Sequence, residues 1–267
     1  MNLRRTFAIT LRYLYLLRAT PARLSQVFIW AILDIVLWGF ITKYLDSVGG
    51  SGVNFTSVLL GAVVLWAFMT RAMQGLSTPF LEDVWARNLL NFFASPLTIA
   101  EYIGGLTIAS IITSAAGLAV LLLLSALFFG LALWHLGLAL ATYLLLLFVF
   151  GIALGILALA VVLRFGPSAE WFVWPLPTVL SPLVGVFYPV AVLPEWMQVI
   201  SHLIPASYVF EGFRGILERG SIDYGALVWG SMLDVVFLAF ACWIFLHVYH
   251  AAVRSGAIAR YSAESYS

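Results

Sequence analysis

The chain has 267 residues, 63% of them hydrophobic and 9% charged, with a formal net charge of +1 at pH 7 and a mean hydropathy of +1.06. A soluble domain needs a polar, solvated surface that this composition does not supply, and a near-neutral chain gives no basis for nucleic-acid binding. The class expected is an all-α polytopic membrane protein forming one membrane domain over 1–267.

Residues 1–23 read as a basic amphipathic helix, with Arg4, Arg5, Arg12, Arg18 and Arg23 on one side and Leu3, Phe7, Leu14 and Leu17 on the other. Such a helix suits the anionic surface of a membrane, and the segment lacks the compact apolar core of a secretory signal. Apolar runs of roughly 20 residues, the length that crosses a bilayer, follow at 27–45, 55–76, 103–129, 136–163, 171–190 and 226–249. They predict a six-span bundle over 27–249 with a tail at 250–267. Six spans put Arg4, Arg5, Arg12, Arg18, Arg23, Arg71, Arg87, Arg164, Arg254 and Arg260 on one side, leaving Lys43, Arg214 and Arg219 on the other. The excess of positive charge marks the cytoplasmic face, so both termini are expected there.

The segment 77–97 between the second and third runs is charged in an otherwise apolar chain. Ser77 and Thr78 suit a helix cap, Pro79 a first helical turn, and Glu82 and Asp83 the positive end of the helix dipole. The spacing predicts one helix over 79–97, with Leu81, Trp85, Leu89 and Phe92 on an apolar stripe and Asp83, Arg87 and Asn91 on a polar one. Such a helix either lies among lipid headgroups or serves as a handle for a soluble partner.

Gly151 and Gly155 form a GxxxG pair in the fourth run, a spacing that lets another helix approach closely. Seven of the chain's ten prolines, Pro167, Pro175, Pro177, Pro182, Pro189, Pro194 and Pro205, fall between 167 and 205, in and around the fifth run, which is therefore expected to be kinked or broken. Short helices are predicted at 194–204 and 207–218. Together, over 191–219, they read as a re-entrant hairpin dipping into the outer leaflet and capped near the outer surface by Glu211 and Arg214, or as a plain surface loop.

Asp34 and Asp234 lie inside the first and last runs, where an ionised carboxylate is costly. Packing or lining of a path is the reading favoured here. An ion-coupled secondary transporter using both acids is the alternative. The lone Cys242 excludes a disulfide framework, and His247 and His250 read as interfacial residues, so no metal site is expected. Neither is a catalytic residue, because no nucleophile, acid and base recur at a workable spacing. The single lysine, Lys43, follows Thr42 and belongs to no phosphate-binding loop, so ATP chemistry is not expected in this chain.

A basic first helix, six runs, a charged connection after the second and a proline-broken fifth together resemble the type-2 ABC exporter permease family. The most specific pieces are LEDVWARNLLNFFASPLTIAEYIGG at 81–105 and GVFYPVAVLPEWMQVISHLIPASYVFEGFRGIL at 185–217. The first is similar to the family's coupling helix with its Ser-Pro-Leu step, here Ser95, Pro96 and Leu97, and a following acid, Glu101. The second is similar to the stretch containing Leu193, Pro194, Pro205 and Arg214. Asn88 and Leu89 depart from the Gly-Thr common after the coupling-helix arginine. The resemblance implies a permease subunit of an ATP-driven exporter of amphipathic cargo such as a lipid-linked glycan, a lipid or a drug. It implies a second permease copy, as homodimer or heterodimer, surrounding membrane lipids, and a soluble ABC ATPase that holds the ATP and magnesium. It also implies ATPase-coupling roles for Glu82, Asp83, Trp85, Arg87, Asn88 and Leu89, and pore or gate roles for Trp30, Asp34, Trp38, Phe187 and Tyr188.

Overall fold

The computed structural model describes residues 2–48 and 55–256; the end of the expected tail, with Arg260, and the side chains of Arg23 and Pro167 lie outside the described residues. Regular structure among the described residues is entirely helical: α1 (Leu3–Ala19), α2 (Pro21–Val48), α3 (Gly61–Trp85), α4 (Leu89–Ala94), α5 (Ile99–Phe129), α6 (Gly137–Phe165), α7 (Glu170–Val173), α8 (Leu176–Val184), α9 (Glu195–His202), α10 (Pro205–Arg219) and α11 (Tyr224–Arg254). Four helical units among these residues are long and apolar enough to cross a membrane: Thr56–Trp85, Ile99–Phe129, Leu133–Phe165 and Tyr224–Arg254. The first run lies on α2, a helix of 28 residues.

α3 is the axis of the bundle, and missing side chains let its neighbours reach it. A Cβ on Gly151 of α6 would stand 2.7 Å from the Met69 carbonyl oxygen, and one on Gly155 would stand 3.0 Å from Leu76 Cβ. The GxxxG pair is thus the seam between α6 and α3, where close backbone approach maximises van der Waals contact. On the opposite side a Cβ on Gly75 would stand 2.3 Å from Ser110 Oγ of α5, and that hydroxyl donates to the Ala72 carbonyl at 3.0 Å. α6 has 72% of its most apolar stretch buried, against 22% for α5 and 17% for α11. The core is therefore α3 on α6, and the outer faces of α5 and α11 are left for lipid.

The segment after the second run departs from expectation. No separate helix begins at Pro79; α3 continues through it to Trp85, and α4 holds only Leu89–Ala94. Ser77 does not cap, because its hydroxyl donates back to the Met73 carbonyl at 3.2 Å. Pro79 lacks the N–H that Gly75 would accept, yet the burial of Phe80, Leu81 and Val84 holds the helix together across that gap. Local start signals lose here to apolar burial.

α1 is bound to the bundle as well as being amphipathic. It buries Thr6, Ile9, Thr10, Tyr13 and Leu17, and Thr10 Oγ1 donates to the Gly105 carbonyl of α5 at 2.9 Å. Gly105 permits this, since a Cβ there would meet the Thr6 carbonyl oxygen and Ile9 Cβ at 2.7 Å. Leu3, Phe7 and Leu11 remain exposed along the outer face. The expected all-arginine face is divided: Arg5 pairs with Glu101 and donates to the Pro96 carbonyl, and Arg12 turns inward to Asp83.

The fifth run contains no span-length helix. α8, its longest helix, has nine residues, about 13.5 Å at 1.5 Å per residue, and it ends at Gly185 in a left-handed turn with φ of 68°. The chain then passes through Pro189 into α9 and α10, close to the two helices predicted. Of the pair expected to cap the hairpin, the Glu211 side chain keeps 41% exposure, whereas Arg214 is turned inward. Arg214 is 5% exposed; it donates to the Gly185 carbonyl at 2.8 Å, to the Val186 carbonyl at 3.3 Å and to Glu211 at 2.8 Å, while Glu211 accepts from the Val190 amide at 2.7 Å. One guanidinium therefore satisfies the carbonyls that the break after α8 leaves without helical donors.

Candidate functional site

The end of α3 is built as a turn that displays two side chains and hides a carboxylate. The Arg87 amide donates to the Val84 carbonyl at 3.1 Å and the Asn88 amide to the Asp83 carbonyl at 2.9 Å, a Schellman closure whose left-handed position is usually glycine. Here it is Arg87, with φ of 58°, a conformation that costs a non-glycine residue roughly 1 kcal/mol. The turn projects Trp85, 48% exposed, with Ala86 and Arg87 beside it on the surface.

Behind that knob the chain is locked. Asp83, 2% exposed, accepts from Arg12 at 3.0 and 2.5 Å, from the Tyr102 hydroxyl at 2.7 Å and from Asn88 Nδ2 at 3.4 Å. Phe92 covers the cluster, with the Arg12 guanidinium 4.9 Å from its ring centroid. Burial opposes the charge on Arg12, but the hydrogen bonds and negative charge of Asp83 outweigh it and raise the Arg12 pKa above its ordinary value. Nearby, Glu101 and Thr98 form a capping box at the start of α5, and the second Glu101 oxygen accepts the Asn2 amide at 2.6 Å. The first helix, the end of α3 and the start of α5 are one clamped unit.

The predicted coupling residues therefore divide. Trp85 and Arg87 are displayed; Asn88 is half-buried; Asp83 and Leu89 face inward, so they form neither a charged rim nor an exposed stripe. Glu82 faces a cavity beside α1. Arg12 and Tyr102, which complete the clamp, are not local in sequence to Asp83, and no periodicity signals them.

That cavity, of about 370 Å³, lies among Tyr13, Leu17, Gln74, Thr78 and Glu82. It adjoins a second of about 480 Å³, and Trp30, Arg71, Gln74 and Trp174 line both. The second contains four of the five predicted pore residues, Trp30, Asp34, Trp38 and Phe187, and Trp38 stacks on Phe187 with ring centroids 4.5 Å apart. Tyr188 does not join them; its hydroxyl donates to the Pro182 carbonyl at 3.0 Å, tying the broken segment to itself. Asp234 is not among the lining residues of either cavity and is 2% exposed, so the two intramembrane acids are not gathered at one cavity.

Arg71 was missed as a site residue. Counted as loop charge, it lies instead near the midpoint of the Thr56–Trp85 unit, where a charge in an apolar run is itself a signal.

A family profile described as ABC-2 type transporter matches residues 10–217. The chain is similar to the inner membrane transport permease YadH of Escherichia coli K12, 30% identical over 207 residues that cover 72% of this chain and 75% of that protein. The proteins of the same name from Escherichia coli O157:H7 and Shigella flexneri match to the same extent. The matched region takes in the clamp, both cavities and the Arg214 contacts.

Proposed function

The chain belongs to the ABC-2 type transporter family and is a membrane transporter subunit, and on that premise we propose that it is the permease of an ATP-driven exporter whose ATPase is a separate soluble chain holding ATP and magnesium. The observation that carries this reading is the knob at Trp85 and Arg87, an exposed aromatic and an exposed cation on a turn whose back is pinned by Asp83, Arg12 and Tyr102. An aromatic anchor beside a cation fits a groove on a soluble partner. A push there is resisted by α1 and α5 and passes along α3 toward the cavities, because helices move as rigid bodies when their ends are fixed.

In this reading α2 and the broken 167–190 segment complete a six-span bundle in the inner membrane, with both termini in the cytoplasm and α9 and α10 as the re-entrant hairpin. Arg71 and Arg214 leave the loop-charge count, and the remaining arginines still favour that orientation. A second permease copy packs across the exposed apolar face of α2, which carries Leu33, Leu37, Phe40 and Tyr44, and the cavities beside that helix give an amphipathic cargo its route. Trp30, Asp34, Trp38 and Phe187 line the route; Tyr188 braces it.

The test is co-expression with a candidate soluble ABC ATPase and reconstitution of the complex in vesicles. Trp85→Ala and Arg87→Ala should leave the complex assembled while reducing coupled ATP hydrolysis by about tenfold, a loss of some 1.4 kcal/mol in coupling. Hydrolysis at the unaltered rate in the double variant, or cargo movement by the chain without any nucleotide-hydrolysing companion, overturns the reading.

A further inference from the structure

Arg71 is a cation that lines both cavities. It sits near the middle of a membrane-length helix, its stem lies against Gly117 of α5, where a Cβ would stand 2.6 Å from Arg71 Cδ and Nε, and its Nε is buried without a hydrogen-bond partner among the described residues. An arginine at that depth is normally paired or hydrated, because desolvating its charge without compensation is costly. Gly117 leaves room for the guanidinium to lie between α3 and α5, and the same guanidinium lines both cavities.

The surroundings say what completes it. Along the cavity face of α3, Thr70, Arg71, Gln74, Thr78 and Glu82 follow one another at helical spacing, a polar ladder rising from the clamp. Aromatic side chains line both cavities: Trp30 and Trp174 are common to the two, and Trp38, Trp66 and Phe187 belong to the second. A cation with Thr70 and Gln74 beside it and tryptophans along the same cavities matches a molecule with an anionic head and an apolar or ring-bearing body.

We propose that Arg71, with Gln74 and Thr70 beside it, is the head-group site for an anionic amphiphile, a phosphate- or carboxylate-bearing lipid-like molecule whose body lies along the tryptophan-lined cavity. This rests on the reading of the cavities as a cargo route and adds the chemistry of the cargo. Asp34 lines the same cavity from α2, and its charge would repel an anion placed beside it, which leaves α3 as the side for the head group.

The experiment uses the full chain, purified in a neutral maltoside detergent without nucleotide or ATPase, so that it reports binding and not coupling. Dodecyl phosphate is titrated while tryptophan fluorescence is followed, since Trp30, Trp38, Trp66 and Trp174 line the cavities. Saturable quenching is expected with dodecyl phosphate, much weaker quenching with inorganic phosphate alone, and none with octyl glucoside. Arg71→Gln should weaken dodecyl phosphate binding by about tenfold or more, while Arg71→Lys retains affinity within about threefold. Equal affinity in Arg71→Gln, or equal response to the neutral amphiphile in the unaltered chain, overturns the proposal. Inorganic phosphate binding as tightly as dodecyl phosphate overturns the amphiphile and leaves a plain anion site. If Arg71→Gln is not monodisperse, the head-group comparison on the unaltered chain decides alone. A chain that binds the phosphate amphiphile yet drives no nucleotide-dependent transport sinks the exporter reading and leaves this one standing.

Discussion

Asp83 and Arg71 are charges on the same helix, and they are treated in opposite ways. Asp83 is enclosed and supplied with donors by Arg12, Tyr102 and Asn88; Arg71 is near the middle of a membrane-length helix, its Nε without a hydrogen-bond partner among the described residues and cavities beside it. A buried charge with every lone pair met holds elements in register, whereas one left unmet lowers stability and persists where something else meets it. The end of α3 is thus the pinned part of the helix, and its middle is the part open to the cavities.

Three substitutions test that contrast. Asp83→Ala should be the most damaging, since it strands Arg12 and the Tyr102 hydroxyl. Because Arg12 keeps about a third of its side chain exposed, the loss should be about 2–3 kcal/mol and not the full amount for a wholly buried pair. Chemical unfolding in detergent measures it, and a cycle with Tyr102→Phe should give strong coupling; additive losses would dissolve the clamp. Arg71→Met should act in the opposite direction, gaining about 1 kcal/mol by replacing an unsatisfied cation with a stem of similar shape, while dodecyl phosphate binding is lost. A destabilised Arg71→Met would mean the guanidinium is satisfied after all. Smallest is Arg87→Gly, which relieves the left-handed turn and should raise stability by somewhat under 1 kcal/mol while lowering coupled hydrolysis with the ATPase. If hydrolysis were unchanged, the knob would need only its tryptophan.

Much of the architecture was readable from residue order because its causes are local. Gly151 and Gly155 announced a close helix contact and supplied one; the prolines announced a break and supplied one; Thr98 and Glu101 form a cap that their spacing allows. The failures share a cause of another kind. Ser77, Thr78 and Pro79 are good start signals, but Phe80 and Leu81 are buried by α3's neighbours, and that tertiary gain carries the helix straight through. The partner of Asp83 is 71 residues away, beyond the reach of any spacing within one helix. Arg214 looked like a surface charge because the sequence does not reveal that α8 would end facing it. Arg71 was hidden by treating positive charge as a marker of side when its depth was the message.

The capping box at the start of α5 reaches further than its own helix. Glu101 spends one oxygen on Thr98 and the other on the Asn2 amide, so the opening residues of the chain are moored within a few ångströms of the turn that presents Trp85. A bulky reporter protein fused ahead of Asn2 would crowd that mooring, and one attached beyond Arg254 is the safer choice for labelling the molecule in living cells.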